Sequence, residues 1–174
     1  MPDWDMIVGE HGGVVWRTAY RLLGNHADAA DCFQETFVSA LSASGRQPVE
    51  NWGGFLQRLA TARALDRLRQ RLRSGRAGRL DAESTPPSPE PGPDSSAEAR
   101  ERHDQIRRAL AGLPPKQAEA FCLHYLEQWS YREIGQHLGI APNAVGSLLH
   151  RARAGLRAAL GSLEPDPRKL EVPR

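Results

Sequence analysis

The stretch "SYREIGQHLGIAPNAVGSLLHRARAGL", Ser130 to Leu156, decides the fold of the second half of this chain. Ser130 and Glu133 stand at capping-box spacing, in which the serine hydroxyl accepts from the Glu133 amide and the Glu133 carboxylate accepts from the Ser130 amide. Ile134 and Leu138 supply the buried side of the helix so begun. Gly139 is placed to end it with a left-handed backbone, and Ile140 packs in the turn. Helix, short glycine turn, helix is a helix-turn-helix unit, whose second helix is shaped to lie in the major groove of DNA.

That second helix starts from Pro142, which suits a first helical turn. Val145, Leu149, Ala152 and Leu156 fall in one stripe, with Leu148 at its rim. Asn143, Ser147, His150 and Ala154 project from the opposite face, flanked by Gly146 and Arg157 on one side and Arg151 on the other. Groove-reading helices use their leading residues for base edges, so Asn143, Ser147 and His150 are the candidates for direct hydrogen bonds. Arg151, Arg153 and Arg157 are candidates for phosphate contacts, which fix position without specifying sequence. A plain amphipathic packing helix with a solvated basic end is the alternative, and the capped helix and glycine turn in front of it weigh against that.

Working outward, the second module opens with a helix around Ala99–Leu110, halted near Gly112 and restarted at Pro114-Pro115. Ala118, Phe121, Cys122 and Tyr125 give the next apolar face. Before it, "SGRAGRLDAESTPPSPEPGPDSSAE" (Ser74–Glu98) has few large apolar residues and many prolines, which marks a linker. In the first module, helices are expected near Trp4–Leu23, Ala27–Ala43 and Trp52–Arg73, with Gly24-Asn25-His26 as a break. Phe33, Phe37, Ala40 and Leu41 form one stripe; Phe55, Leu59, Ala62 and Leu65 form another, with Leu56 and Leu68 beside it. The expected fold is all-α, with small helical domains at 1–73 and 99–160, a Pro/Ser-rich linker at 74–98 and a disordered tail at 161–174.

Composition narrows the function classes. With 40% hydrophobic and 25% charged residues among 174, the chain reads as a soluble protein. It shows neither a secretory signal nor an apolar run of the roughly 20 residues that span a bilayer, so a cytoplasmic location without membrane attachment is expected. Cys32 and Cys122 match no metal spacing and read as buried free thiols. No metal, no cofactor and no catalytic constellation is expected, since the phosphate loop, nucleophile elbow and His-Glu-x-x-His motifs are all missing.

Two faces of the first module invite partners instead. In "DAADCFQETFVSAL", Asp28, Asp31, Gln34 and Glu35 share a polar side without basic residues, suited to a positively charged protein surface. "ENWGGFLQRLATARALDRLRQRLR" joins Trp52 and Phe55 to a helix rich in arginine. Arg58, Arg63, Arg67, Arg69, Arg71, Arg73, Arg76 and Arg79 are opposed within that stretch only by Asp66, which makes it a candidate polyanion contact. Aromatics beside arginines suit unpaired bases. A core role for Trp52 and Phe55, and a solvated helix end for the arginines, are the simpler alternatives.

Three stretches together, "AYRLLGNHADAADCFQETFVSAL", "LATARALDRLRQRLR" and "LPPKQAEAFCLHYLEQWSYREIGQHLGIAPNAVGSLLHRARAGLRAAL", closely resemble bacterial sigma factors of the extracytoplasmic-function (ECF) group, over Ile7–Arg73 and Ile106–Leu160. The resemblance implies a region-two domain followed by a region-four domain, acting by binding rather than by catalysis. Its implied partners are core RNA polymerase, through the β′ clamp helices and the β subunit, and promoter DNA. Most members are held by an anti-sigma factor, a further partner the resemblance allows. Carried onto this chain, Asp31, Gln34 and Glu35 would meet polymerase, with Phe37 as core support. Asn51, Trp52, Arg58, Arg67, Arg69 and Arg71 would hold the minus-ten element, and the helix from Pro142 would read the minus-thirty-five element.

Departures from the family pattern carry expectations too. Thr61-Ala62 replaces the usual Arg-Asn, and Ala141, Gly146 and Leu148 replace a Ser cap and later basic residues. A missing cap and a mid-helix glycine each cost about 1 kcal/mol, and two lost charges weaken phosphate contact, so upstream recognition is expected to be weak. Gly146 is either a lost contact or a site of close approach to DNA. Two rival classes stay open: a stand-alone helix-turn-helix repressor or activator, and a degenerate sigma-like regulator that binds polymerase but no promoter.

Overall fold

The structure is a computed structural model and describes residues 2–46, 48–75 and 97–161. Seven helices and no strand occur among these residues: α1 (Trp4–Leu23), α2 (His26–Ser44), α3 (Trp52–Arg73), α4 (Ala97–Gly112), α5 (Pro115–Tyr125), α6 (Tyr131–Leu138) and α7 (Pro142–Leu160). They form two compact units, α1–α3 and α4–α7. The expected linker and tail fall mostly outside the described residues.

Each helix of the first unit begins on a side-chain cap. The carboxylate of Asp3 accepts from the Met6 amide at 3.1 Å, Asn25 Oδ1 from Asp28 at 2.9 Å, and Asn51 Oδ1 from Gly54 at 3.0 Å. Such a cap contributes about 1 kcal/mol and sets where the helix starts. Gly24, with φ of 74°, adopts the left-handed conformation that closes α1 and turns the chain directly into α2.

All three helices pack on one another around Ile7, Val15, Ala40, Leu56 and Ala60, with Trp4, Phe33, Phe37, Trp52, Phe55 and Leu59 as a half-buried margin. Two details differ from the sequence expectation. Leu41 is not part of the α2 stripe; it lies exposed beside Val38. On α3 the buried row is Leu56, Ala60, Thr61, Ala64, Leu65 and Leu68, so Phe55, Leu59 and Ala62 sit at its edge. Because α3 packs on both α1 and α2, small side chains occupy its inner surface, where helices approach closely.

In the second unit, Ala120, Leu123, Ile134, Val145 and Leu149 make the core, and Leu138, Ile140 and Leu148 pack partly buried against it. The capping box at the head of α6 is complete. The Glu133 amide donates to Ser130 Oγ at 3.2 Å, and the Ser130 amide donates to Glu133 Oε2 at 2.8 Å. Gly139 is left-handed, with φ of 67°.

The turn into α7 closes through the Ile140 amide, which donates to the Gly135 carbonyl at 2.9 Å. That closeness explains Gly135, which sequence reading passed over: a Cβ there would lie 2.7 Å from the Ile140 carbonyl oxygen. Gln128 takes φ of 60° in the turn before α6.

Candidate nucleic-acid interface

On α7 the buried set is Val145, Leu149, Ala152 and Leu156, the stripe expected from periodicity. Asn143, Ser147, His150, Arg151, Arg153 and Arg157 are therefore all exposed. The leading end of this surface is small and polar, and the cations lie behind it. Ala141 provides no side-chain cap, as expected. Asn143 Oδ1 accepts from the Ala144 amide at 2.9 Å, an amide that also donates to the Ala141 carbonyl, while Arg151 Nε donates back to the Ser147 carbonyl at 3.3 Å.

Gly146 has a neighbour within the protein itself. Its missing side chain points at Tyr131, whose Cε2 would stand 3.5 Å from an added Cβ. Tyr131, the first residue of α6, also packs edge-on against His124, with ring centroids 5.1 Å apart. Gly146 is thus half-buried in the seam between α6 and α7, with the aromatic ring at its edge.

In the first unit, Trp52 lies between Trp4 and Phe55, with centroids 5.3 Å and 6.1 Å away, and Arg58 stacks over the Phe55 ring at 4.9 Å. Both Trp52 and Phe55 pack against the core while remaining partly exposed, so the core role applies to them without covering their rings. Asn51 Oδ1 is committed to the α3 cap. Thr61 is fully buried and its hydroxyl has no hydrogen-bond partner. Thr61 faces the interface of α3 with its neighbouring helices.

The arginines of α3 are more engaged than their local sequence implies, because carboxylates from outside their own stretch join Asp66 in opposing them. Arg69 does pair with Asp66, at 3.0 Å. Arg67, however, reaches α2: its Nη2 lies 2.5 Å from Glu35 Oε1, and its Nη1 lies 3.5 Å from Asp31 and 3.6 Å from Asp28. Arg71 pairs with Asp28 and donates to the Leu23 carbonyl at the end of α1, at 3.1 Å. Asp31, Gln34 and Glu35 are exposed on α2 as expected, but their face is not free of basic residues. Arg63 donates to Ser39 at 3.0 Å.

Cys32, beneath this face, is fully buried and contacts the Ala60 carbonyl; burial pushes its thiol up to about 11. Glu133 moves the other way, held below the usual carboxylate range by the hydrogen bonds from the Ser130 hydroxyl and amide. Among the described residues no helix is long and apolar enough to cross a membrane, and no side-chain group is arranged to hold a metal.

Comparison with known proteins places both units. Residues 7–74 match the family model "Sigma-70 region 2", and residues 103–156 match "Sigma-70, region 4". The chain is 38% identical over 156 residues to the RNA polymerase sigma factor CarQ of Myxococcus xanthus, covering 88% of this chain and 84% of that one. It is 36% identical over 163 residues to the ECF RNA polymerase sigma factor SigE of Mycolicibacterium smegmatis, covering 90% of this chain but only 61% of that protein's length. Among solved structures, the sigma factor RpoE of Bartonella quintana, crystallised with the anti-sigma factor NepR, superposes with a TM-score of 0.55 at 20% identity, over 94% of this chain and 100% of that one. At that identity the likeness speaks for the fold.

Proposed function

The chain belongs to the extracytoplasmic-function group of the sigma-70 family, and from that premise we propose that it binds core RNA polymerase and directs it to a small set of promoters. Its work is recognition in the cytoplasm, with no reaction catalysed by the chain itself. The observation that carries this reading is the exposed face of α7, small and polar at the leading end and cationic behind, set on a capped helix and a closed glycine turn. A helix presented in this way fits the major groove, with Asn143, Ser147 and His150 against base edges and Arg151, Arg153 and Arg157 against phosphates.

In the first unit, Asp31, Gln34 and Glu35 supply the surface for polymerase. Trp52, supported by the Asn51 cap, offers a ring for an unpaired base. Arg58, stacked over the Phe55 ring, and Arg69, paired with Asp66 of its own helix, are the cations of α3 assigned to the strand backbone, whereas Arg67 and Arg71 belong to the charge network with α2. A stand-alone repressor would need neither the α2 face nor the aromatic margin of α3.

Run-off transcription tests the proposal: the purified chain is added to core polymerase on promoters from its own genomic neighbourhood. Transcripts should require the chain, Gln34→Ala should reduce them through weaker polymerase binding, and Arg69→Ala should reduce them with polymerase binding intact. Polymerase binding without promoter melting on any template would instead identify a degenerate regulator. Specific DNA binding that needs no polymerase would point to a repressor or activator.

A further inference from the structure

We propose that Arg67 is a positioning residue for the docking face of α2, and not a contact to promoter DNA. The inference rests on the reading of α2 as the helix that meets polymerase. One guanidinium lies within 3.6 Å of three carboxylates: Glu35 at 2.5 Å, Asp31 at 3.5 Å and Asp28 at 3.6 Å. Its side chain is 21% exposed, against 61% for Asp31 and 51% for Glu35. The cation is covered and the two carboxylates stand outside it.

Arg67 engages Oε1 of Glu35 and Oδ2 of Asp31. An ionised carboxylate offers about four acceptor positions on its two oxygens, so both side chains are held by one edge and keep acceptor capacity for a partner. The planar fork of arginine is what permits this; a lysine ammonium is a point charge on a flexible stem and would hold fewer of the three at once. Asp28 forms the inner anchor. It also receives Arg71 and the Asn25 amide group at 2.9 Å, and Arg71 is tied in turn to the Leu23 carbonyl at 3.1 Å. Three carboxylates against two guanidiniums leave the cluster with a net negative charge. A DNA backbone approaching Arg67 would meet Asp31 and Glu35 first, whereas a cationic protein surface would meet two carboxylates already fixed in place.

Fixing those side chains before docking removes an ordering cost on binding. The test measures the affinity of the full chain for core polymerase, and separately the affinity of the holoenzyme, at saturating core, for fork DNA with a pre-melted minus-ten element. Arg67→Ala should weaken core binding about fivefold, Arg67→Lys should recover part of that loss, and adding Arg67→Ala to Glu35→Ala should weaken binding by less than that fivefold, since only the positioning of Asp31 is then left to lose. Fork-DNA affinity and its salt slope should not change. Thermal melting of the free chain follows folding separately, and a lowered melting point with unaltered core affinity in both Arg67 variants overturns the proposal.

Tighter core binding by Arg67→Ala, showing that the guanidinium competes with the partner, overturns it as well. So does a salt slope for fork DNA that falls by about one ion. Gln34→Ala separates this inference from the reading beneath it. If Gln34→Ala weakens core binding and Arg67→Ala does not, the positioning role alone fails; if neither does, the docking role of α2 fails with it.

Discussion

Gly135 and Gly146 lie eleven positions apart in the helix-turn-helix, and the space around them gives opposite expectations for the same substitution. At Gly135 an added methyl would meet the backbone carbonyl oxygen of Ile140 at 2.7 Å, and Ile140 is held in the turn by its amide, which donates to the Gly135 carbonyl, so its backbone cannot yield cheaply. Gly135→Ala should cost about 2 kcal/mol in chemical denaturation of the second unit, the usual penalty of overpacking. At Gly146 the nearest atom is 3.5 Å away, an ordinary contact with a ring edge, and the helix loses the entropic penalty of glycine. Gly146→Ala should therefore stabilise the unit by up to about 1 kcal/mol. Cys32 supplies a pH dependence. Its thiol is raised from 9.0 to about 11, so between those values the folded chain keeps a proton that the unfolded chain has released. The associated stability is fully present below pH 9 and is lost as pH rises towards about 11, a fall on the order of 2 to 3 kcal/mol across that window. Alkylation at pH 8 should leave Cys32 unmodified until the first unit unfolds.

Among the helices, α6 and α7 differ in how they begin. The start of α6 has reciprocal hydrogen bonds between Ser130 and Glu133, while α7 starts at Ala141 with no side-chain cap. Ala141→Ser should add about 1 kcal/mol to the second unit, and Ser130→Ala should remove about as much, both read by denaturant titration. The Glu133 half of the box depends on an ionised carboxyl held below its usual range, so its contribution is present at neutral pH and is lost as pH falls through that lowered value. The start of α6, the Gly139 stop and the buried stripe of α7 were all legible in the sequence, because each depends on residues within four positions of one another. The α3 pattern was legible only in outline. Ala60, Thr61 and Ala64 are buried there by close approach to two helices, and small side chains carry no hydrophobic signal to separate that from exposure. The charge network was not legible at all, since Arg67 finds Glu35 across 32 residues, and no local window contains both.

At the scale of the molecule, the two sets of core residues are separate: one is built around Ile7, Val15 and Leu56, the other around Leu123, Ile134 and Leu149. Small units of this kind have little stability to spare, so one core truncation in each should disable that unit while its neighbour stays folded. Leu149→Ala deletes a fully buried side chain at the base of α7, and a loss of about 3 kcal/mol is expected. Denaturation should then show the second unit melting early and the first unit unmoved, as expected for sites that share no partners. In transcription, Leu149→Ala should abolish initiation from a duplex promoter yet keep initiation from a template whose minus-ten element is already melted, because the contacts proposed for α2 and α3 with polymerase and the open strand would remain. Leu56→Ala, in the other core, should abolish both. If Leu149→Ala proved equally harmful on duplex and pre-melted templates, the second unit would be contributing more than upstream recognition, and the division of labour drawn between the units would have to be abandoned.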